Sequence, residues 1–238
     1  MSISLKQFVA DSGGTFYGDD TLLDLSASVV GTDSRSLQRG DIFVALQGER
    51  FDGHLFVEAA LREGASLALV NEGWHRDHPQ VVPVVVVPDT LIAYQEAARS
   101  HRRRHPVPVV AVTGSAGKTT SKEMMYEVLS RKFRVLRNKK SFNNHIGVPA
   151  TLFELRPEHE LLLTELGTNH FGELDRLSYL VEPMVAVIVN IGYAHLEFFE
   201  DLAGVRRAKF EIFNHCRPGA VAIYNSDGSF LNVAHMGG

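Results

Sequence analysis

Val109-Val110-Ala111-Val112-Thr113-Gly114-Ser115-Ala116-Gly117-Lys118-Thr119-Thr120 is the stretch from which the rest of the chain can be read. Four apolar residues run into a turn bracketed by two glycines, and Lys-Thr-Thr follows. Next comes Glu123-Met124-Met125-Tyr126-Glu127-Val128-Leu129, which is compatible with a helix. A buried strand, a glycine turn and a helix opening at Lys118 together describe a phosphate-binding loop. Backbone N–H groups of the turn and the positive end of the helix dipole would face an anion. The lysine adds a point charge, and the threonine hydroxyl offers an oxygen to Mg²⁺. The strict G-x-x-x-x-G-K-[ST] spacing is not met because position 112 is valine, which leaves the shorter T-G-S-A-G-K-T-T. The bland alternative is an ordinary strand–turn–helix joint. It requires two glycines, the lysine and both threonines to coincide by accident.

Downstream, the sequence predicts strands at 107–112, 161–166, 185–191 and 220–224. Helices are expected between them at 118–131, 171–180 and 202–215, with a turn or helix at 148–155. Continuous apolar strands alternating with helices imply a parallel sheet covered on both faces. Ligands of such sheets bind at the C-terminal strand ends, so polar residues should cluster there. They do. The phosphate loop follows the first strand, Glu165-Leu166-Gly167-Thr168-Asn169-His170 the second, Asn190-Ile191-Gly192-Tyr193-Ala194-His195-Leu196-Glu197 the third, and Asn225-Ser226-Asp227-Gly228 the fourth. Glu165 and Thr119 supply oxygen ligands for a magnesium nucleotide. His195 is either a second metal ligand or a loop histidine bonded to backbone, and position alone leaves both open.

Upstream, residues 1–105 alternate short apolar runs with helical stretches. Strands are expected at 41–46, 66–70 and 81–87. A helix over 54–62 would present Leu55, Phe56, Ala59 and Ala60, with Gly64 as its C-cap. A second helix opens at Pro88-Asp89-Thr90 and ends in His101-Arg102-Arg103-Arg104-His105. That basic run is read as a solvated helix end, where the dipole favours cations. The domain boundary is placed near 105, giving domains 1–105 and 106–238.

The 238 residues are 45% hydrophobic and 22% charged, with a net charge of −4. Nothing in that balance points to nucleic acid or to a membrane surface. The single cysteine, Cys216, excludes an internal disulfide and fits a reducing compartment. Met1–Gln7 lacks the apolar core of a signal peptide, and the longest apolar run, 81–87, is broken by Pro83. A cytoplasmic protein is expected.

Further stretches complete the pattern. They are Phe142-Asn143-Asn144-His145-Ile146-Gly147-Val148-Pro149 and Ala208-Lys209-Phe210-Glu211-Ile212-Phe213, with Thr32-Asp33-Ser34-Arg35, the run Gly40 to Gly48, and Phe51-Asp52-Gly53-His54 in the N-terminal half. Together with the loop they resemble the Mur ligases, the ATP-dependent amide-forming enzymes of peptidoglycan precursor synthesis. The shortened loop spacing is a feature of that family. Ser115 and the Phe-Asn-Asn triplet bring the resemblance nearest to the member that joins D-alanyl-D-alanine to UDP-N-acetylmuramoyl-tripeptide. The resemblance implies a small mixed α/β UDP-binding domain followed by a P-loop-type, mostly parallel sheet domain.

Residue by residue, it implies that Thr113, Gly114, Ser115, Ala116, Gly117, Lys118, Thr119 and Thr120 hold ATP. Thr119 and Glu165 would bind Mg²⁺, and His195 a second magnesium. Lys209, otherwise read as a solvated lysine of an amphipathic helix, would be carbamylated by CO₂ into a metal ligand. Lys118, His195 and Lys209 would thus serve catalysis. Asn143 and Asn144 would lie by the substrate near the transferred phosphate, and Ser34 and Arg35 at the UDP end. For Ser34 and Arg35 a turn opening at Asp33 stays open. The full-length family member is expected to be a monomer.

Family members are nearly twice this long and carry a C-terminal Rossmann-like domain. With the sequence ending at Gly238, the central domain is expected to be incomplete and the third domain absent. Weak nucleotide binding, little ligase activity and uncovered apolar surface would follow. Competing readings are a relative adding the third residue to a UDP-dipeptide, one adding glutamates to folate, a P-loop NTPase or kinase, and a non-catalytic nucleotide-binding fragment.

Overall fold

Continuous apolar runs and helix-compatible stretches alternate along the chain, and the computed structural model turns them into strands and helices in that order. It describes residues 3–48, 51–139, 141–192, 199 and 201–225. The chain divides into two compact units, Met1–Arg104 and His105–Gly238.

In the first unit, β1 (Ile3–Ser4) leads into α1 (Leu5–Ser12), with β2 (Thr15–Tyr17), β3 (Ser26–Ala27) and β4 (Val30–Gly31) following. Then come β5 (Ile42–Val44), α2 (Val57–Arg62), β6 (Leu67–Asn71), α3 (Glu72–Asp77), β7 (Val84–Val87) and α4 (Thr90–Arg104). The main sheet has the order β2-β7-β6-β5-β4, in which only β2 runs antiparallel to its neighbour. β1 pairs separately with β3. Phe43, Ala45, Val57, Ala60, Ala68, Val70 and Val84 form one core, with Trp74 packed against it. The Asp89 carboxylate accepts from the Ile92 N–H and opens α4 as the sequence predicts.

Two expectations for this unit are corrected. Leu55 and Phe56 do not face the core, and Leu55 is 79% exposed, while Val57 and Ala60 are buried. The first turn of that segment, Gly53–Phe56, is a 3₁₀ turn, so the apolar spacing counted from Leu55 falls out of phase with α2. The basic end of α4 is not wholly solvated either. His101 and Arg102 are buried, and the exposed Arg104 binds the Asp11 carboxylate at 2.6 and 3.0 Å.

The second unit contains β8 (Val109–Thr113), α5 (Lys118–Leu129), β9 (Val135–Arg137), α6 (Gly147–Phe153), β10 (Leu161–Glu165) and α7 (Glu173–Val181). β11 (Val185–Ile188), α8 (Leu202–Phe210) and β12 (Val221–Tyr224) complete it. All four pairings are parallel, in the order β12-β11-β8-β10-β9. β9 is an addition to the expected strands. Val112, Leu161, Leu163 and Val187 pack with Met125, Tyr126 and Leu129 of α5 on one face. On the other face Ala111, Leu162 and Ala186 are fully buried, so both faces are covered. Connections leave β8 toward β9 and later cross it to reach β11. The topological switch therefore falls at β8, whose C-terminal end carries the glycine loop. β12 lies at the sheet edge, with Val221 53% and Ile223 48% exposed. Among the described residues no helix is long and apolar enough to cross a membrane.

Candidate phosphate and metal site

The loop after β8 is shaped by close backbone approach. A Cβ at Gly114 would stand 3.2 Å from Val189 Cβ and 3.3 Å from the Asn190 nitrogen. Gly117, with φ +75°, takes the left-handed conformation that lets α5 start immediately afterwards. No side chain caps this helix, so the N–H groups of its first turn remain directed outward for an anion. Lys118 curls back and donates from Nζ to the Gly114 carbonyl at 2.8 Å, which holds its ammonium over the loop. Thr113 is buried and accepts from the Val189 N–H at 2.9 Å, while Thr120 is exposed.

The N–H groups of Ser115 and Ala116 have another use. They donate to the Asn190 carbonyl and to Asn190 Oδ1, at 3.2 and 2.9 Å. The Ser115 hydroxyl donates to the Gly192 carbonyl and accepts its N–H, both at 3.0 Å. Two of the four strand-end loops are thus laced together.

Glu165 ends β10 with its side chain buried beside that helix. Oε2 accepts the Thr119 hydroxyl at 2.8 Å, and Oε1 accepts Asn143 Nδ2 at 2.7 Å. Glu165 therefore touches both Thr119 and Asn143, one through each carboxylate oxygen. Asn144 is exposed, and its Oδ1 accepts the Ile146 and Gly147 N–H groups at 3.1 and 2.9 Å at the start of α6. One carboxylate and one hydroxyl are hard oxygen donors. Among the described residues no group of three or more His, Cys, Asp or Glu side chains converges. Such a sparse set suits Mg²⁺, which keeps several waters and takes its remaining ligands from phosphates.

Lys209 corrects the solvated reading, since it is only 1% exposed. It occupies the buried stripe of α8 with Leu202 and Val205, at spacings of three and four, and Ile212 of the 3₁₀ turn that follows is buried three residues on. Burial, followed by the charge of Lys118, brings its amine down to about 8. Glu173 and Glu211 oppose that shift. Both glutamates also order the surroundings. Glu173 accepts the N–H groups of Asn169 and His170, at 2.6 and 3.1 Å. Glu211 accepts those of Gly172 and Asp175 at the start of α7, at 2.9 and 3.2 Å. His195 lies outside the described residues.

In the first unit, Ser34 and Arg35 sit in a 3₁₀ turn that Asp33 caps. Arg35 is exposed and forks onto Asp33 at 2.8 and 2.7 Å, and its guanidinium draws the Asp33 carboxyl down to about 2. The turn at Asp33 therefore exists, and it displays Arg35 at the C-terminal end of β4.

Sequence reasoning overlooked Lys122, Asn138, Glu173 and Glu211. Lys122 carried a signal: it stands at the head of the stripe Lys122, Met125, Tyr126, Leu129. Asn138 carried none, because its role depends on how β9 and β10 are aligned.

Residues 26–110 match the model of the Mur ligase family catalytic domain, and residues 112–236 match that of the Mur ligase middle domain, more than half of the chain. The chain belongs to the Mur ligase family. Over 227 residues it is 42% identical to the UDP-N-acetylmuramoyl-tripeptide–D-alanyl-D-alanine ligase of Escherichia coli strain K12, covering 95% of this chain and 48% of that protein. Among solved structures it is similar to MurF from Acinetobacter baumannii, with a TM-score of 0.89 and 38% identity over 97% of this chain and 50% of that one. It is also similar to the MurF ligase of Thermotoga maritima in complex with ADP, with a TM-score of 0.76 and 31% identity over 88% of this chain and 47% of that one. The chain spans about half the length of the curated Mur ligases it matches.

Proposed function

We propose that this chain forms the UDP-substrate and ATP sides of a Mur ligase that adds D-alanyl-D-alanine to UDP-N-acetylmuramoyl-tripeptide, in the cytoplasm and as a monomer at full length. The observation that carries the reading is the contact of Thr119 with Glu165 at the mouth of the phosphate loop, with Lys209 buried within the field of Lys118. The 42% identity to an enzyme of that name supports the choice of substrates.

In this reading the carboxylate of the UDP-linked peptide attacks the γ-phosphorus of ATP and expels ADP. The acyl phosphate so formed is opened by the amine of D-alanyl-D-alanine through a tetrahedral intermediate, releasing phosphate. The N–H groups at the start of α5 and the Lys118 ammonium hold the nucleotide phosphates and offset the charge gathered between two anions. Thr119 and Glu165 would hold Mg²⁺, which would neutralise phosphate charge. Lys209, its amine converted by CO₂ to a carbamate with release of a proton, would be a further metal ligand, and His195 would bind a second magnesium. That conversion needs the neutral amine, and burial makes it accessible near pH 8. Asn143 and Asn144 line the path of the substrate carboxylate. Arg35, released from Asp33, pairs with the diphosphate as a planar fork.

Calorimetry with UDP-N-acetylmuramoyl-tripeptide and the corresponding dipeptide tests the assignment. The chain is expected to bind the tripeptide at least about 10-fold more tightly, a difference of about 1.4 kcal/mol. Equal binding of both, or of neither, would remove the basis for it.

A further inference from the structure

α5 presents two lysines one turn apart, and the proposed mechanism uses only Lys118. Lys122 is fully buried, an uncommon place for an ammonium. Its Nζ donates to the Asn138 carbonyl at 2.7 Å and lies 3.2 Å from the Glu123 carboxylate. Glu123 in turn binds Arg137, whose guanidinium stacks on Tyr126 at 3.6 Å. This seam holds the chain where it leaves β9.

The ladder between β9 and β10 ends at Arg137 and Leu163, short of Glu165. Beyond it the Asn138 side chain takes the place of a strand. Oδ1 accepts the Glu165 N–H at 2.9 Å, and Nδ2 donates to the carbonyls of Glu165 and Phe142, at 3.1 and 2.8 Å. One buried amide thereby grips the backbone of the metal-site carboxylate on both sides. It also fixes the segment that delivers Asn143 to Glu165 Oε1. Thr119, which meets the other carboxylate oxygen, is on α5 three residues before Lys122.

We infer that Lys122 and Asn138 are positioning residues of the metal site. They hold Glu165 against Thr119 by tying β10 to the second turn of the helix whose first turn receives the phosphates. This inference rests on the magnesium–nucleotide reading above. Neither side chain is placed to touch the nucleotide. Outer partners that orient a metal ligand are typically worth 10- to 100-fold in metal affinity, and a lost buried hydrogen bond leaves the remaining groups free to drift.

The test is calorimetric titration of ATP into the chain, in EDTA and then in Mg²⁺, for the parent, Lys122→Met and Asn138→Ala. The expected result is metal-free ATP affinity within twofold of the parent in both variants. The affinity gained on adding Mg²⁺ should be about 10-fold smaller in each. Should Lys122→Met fail to fold, Lys122→Gln replaces it; it retains one donor toward Asn138 and should show an intermediate loss. Folded variants with the parent's full Mg²⁺ gain would overturn the positioning role while leaving the nucleotide site standing. So would an equal loss of metal-free and Mg²⁺-dependent binding, which is the signature of a merely structural defect. A parent that gains nothing from Mg²⁺ would overturn the metal reading and this inference with it.

Discussion

Lys122 and Lys209 each stand where the apolar stripe of a helix would place a leucine or methionine. Such a position forces a lysine to lose water, and the two are handled differently. Lys122 keeps a carbonyl and a carboxylate within reach. Lys209 is brought down to about 8 by burial and by Lys118. Its folded value lies below the ordinary 10.5, so the unfolded chain takes up the proton first as pH falls. The cost of burying Lys209 therefore develops between pH 10.5 and 8 and is fully present below 8. Lys209→Met should raise stability at pH 7 in CO₂-free buffer, the charge-burial part of the gain being at most roughly 3.5 kcal/mol at about 1.4 kcal/mol per pKa unit. The gain should shrink as pH climbs from 8 toward 10.5. Denaturant midpoints of both chains across that range check it, and a gain independent of pH would contradict the assigned cause.

The elements of the second unit were largely legible in the sequence because each carries a strong local signal. Val109–Val112 and Leu161–Leu163 are continuous apolar runs, and α7 repeats Leu174, Leu177, Ser178 and Val181 at helical spacing. β9 has only Val135 and Leu136 between arginines, too little pattern to mark a strand, and its place comes from pairing with β10. The site followed the same division. Glu165 and Thr119 could be found from strand ends and the loop, whereas Asn138 acts through tertiary alignment alone. The turn holding Leu55 and Phe56 misled because a 3₁₀ start shifts the helical phase. The second unit offers a test of one helix end. Glu211 reaches across from the turn after α8 to accept the first N–H groups of α7. Glu211→Ala should cost about 1 kcal/mol, as loss of a helix cap does. A denaturant midpoint unchanged from the parent would show that solvent replaces that cap without loss.

At the scale of the molecule, the order β12-β11-β8-β10-β9 brings the phosphate loop, Glu165 and the loop at Asn190 to one sheet edge, where a single helix, α5, meets them. The same order leaves β12 at the lateral edge with Val221 and Ile223 exposed. Exposed apolar edge strands promote association. The chain is therefore expected to self-associate as its concentration rises, and V221T combined with I223T to reduce this without lowering the melting temperature. Light scattering of both forms over a concentration series checks it, and a parent that stays monomeric throughout contradicts it. The central claim is that the shortened glycine loop and Glu165 form one magnesium–nucleotide site. Titration of Mg·ATP into the parent, Lys118→Met and Glu165→Gln tests it most directly. The account predicts binding by the parent and at least about 10-fold weaker binding by each variant, the lysine variant losing affinity with and without Mg²⁺ and the glutamate variant only with it. Equal affinity in all three, or no binding by the parent, would contradict it.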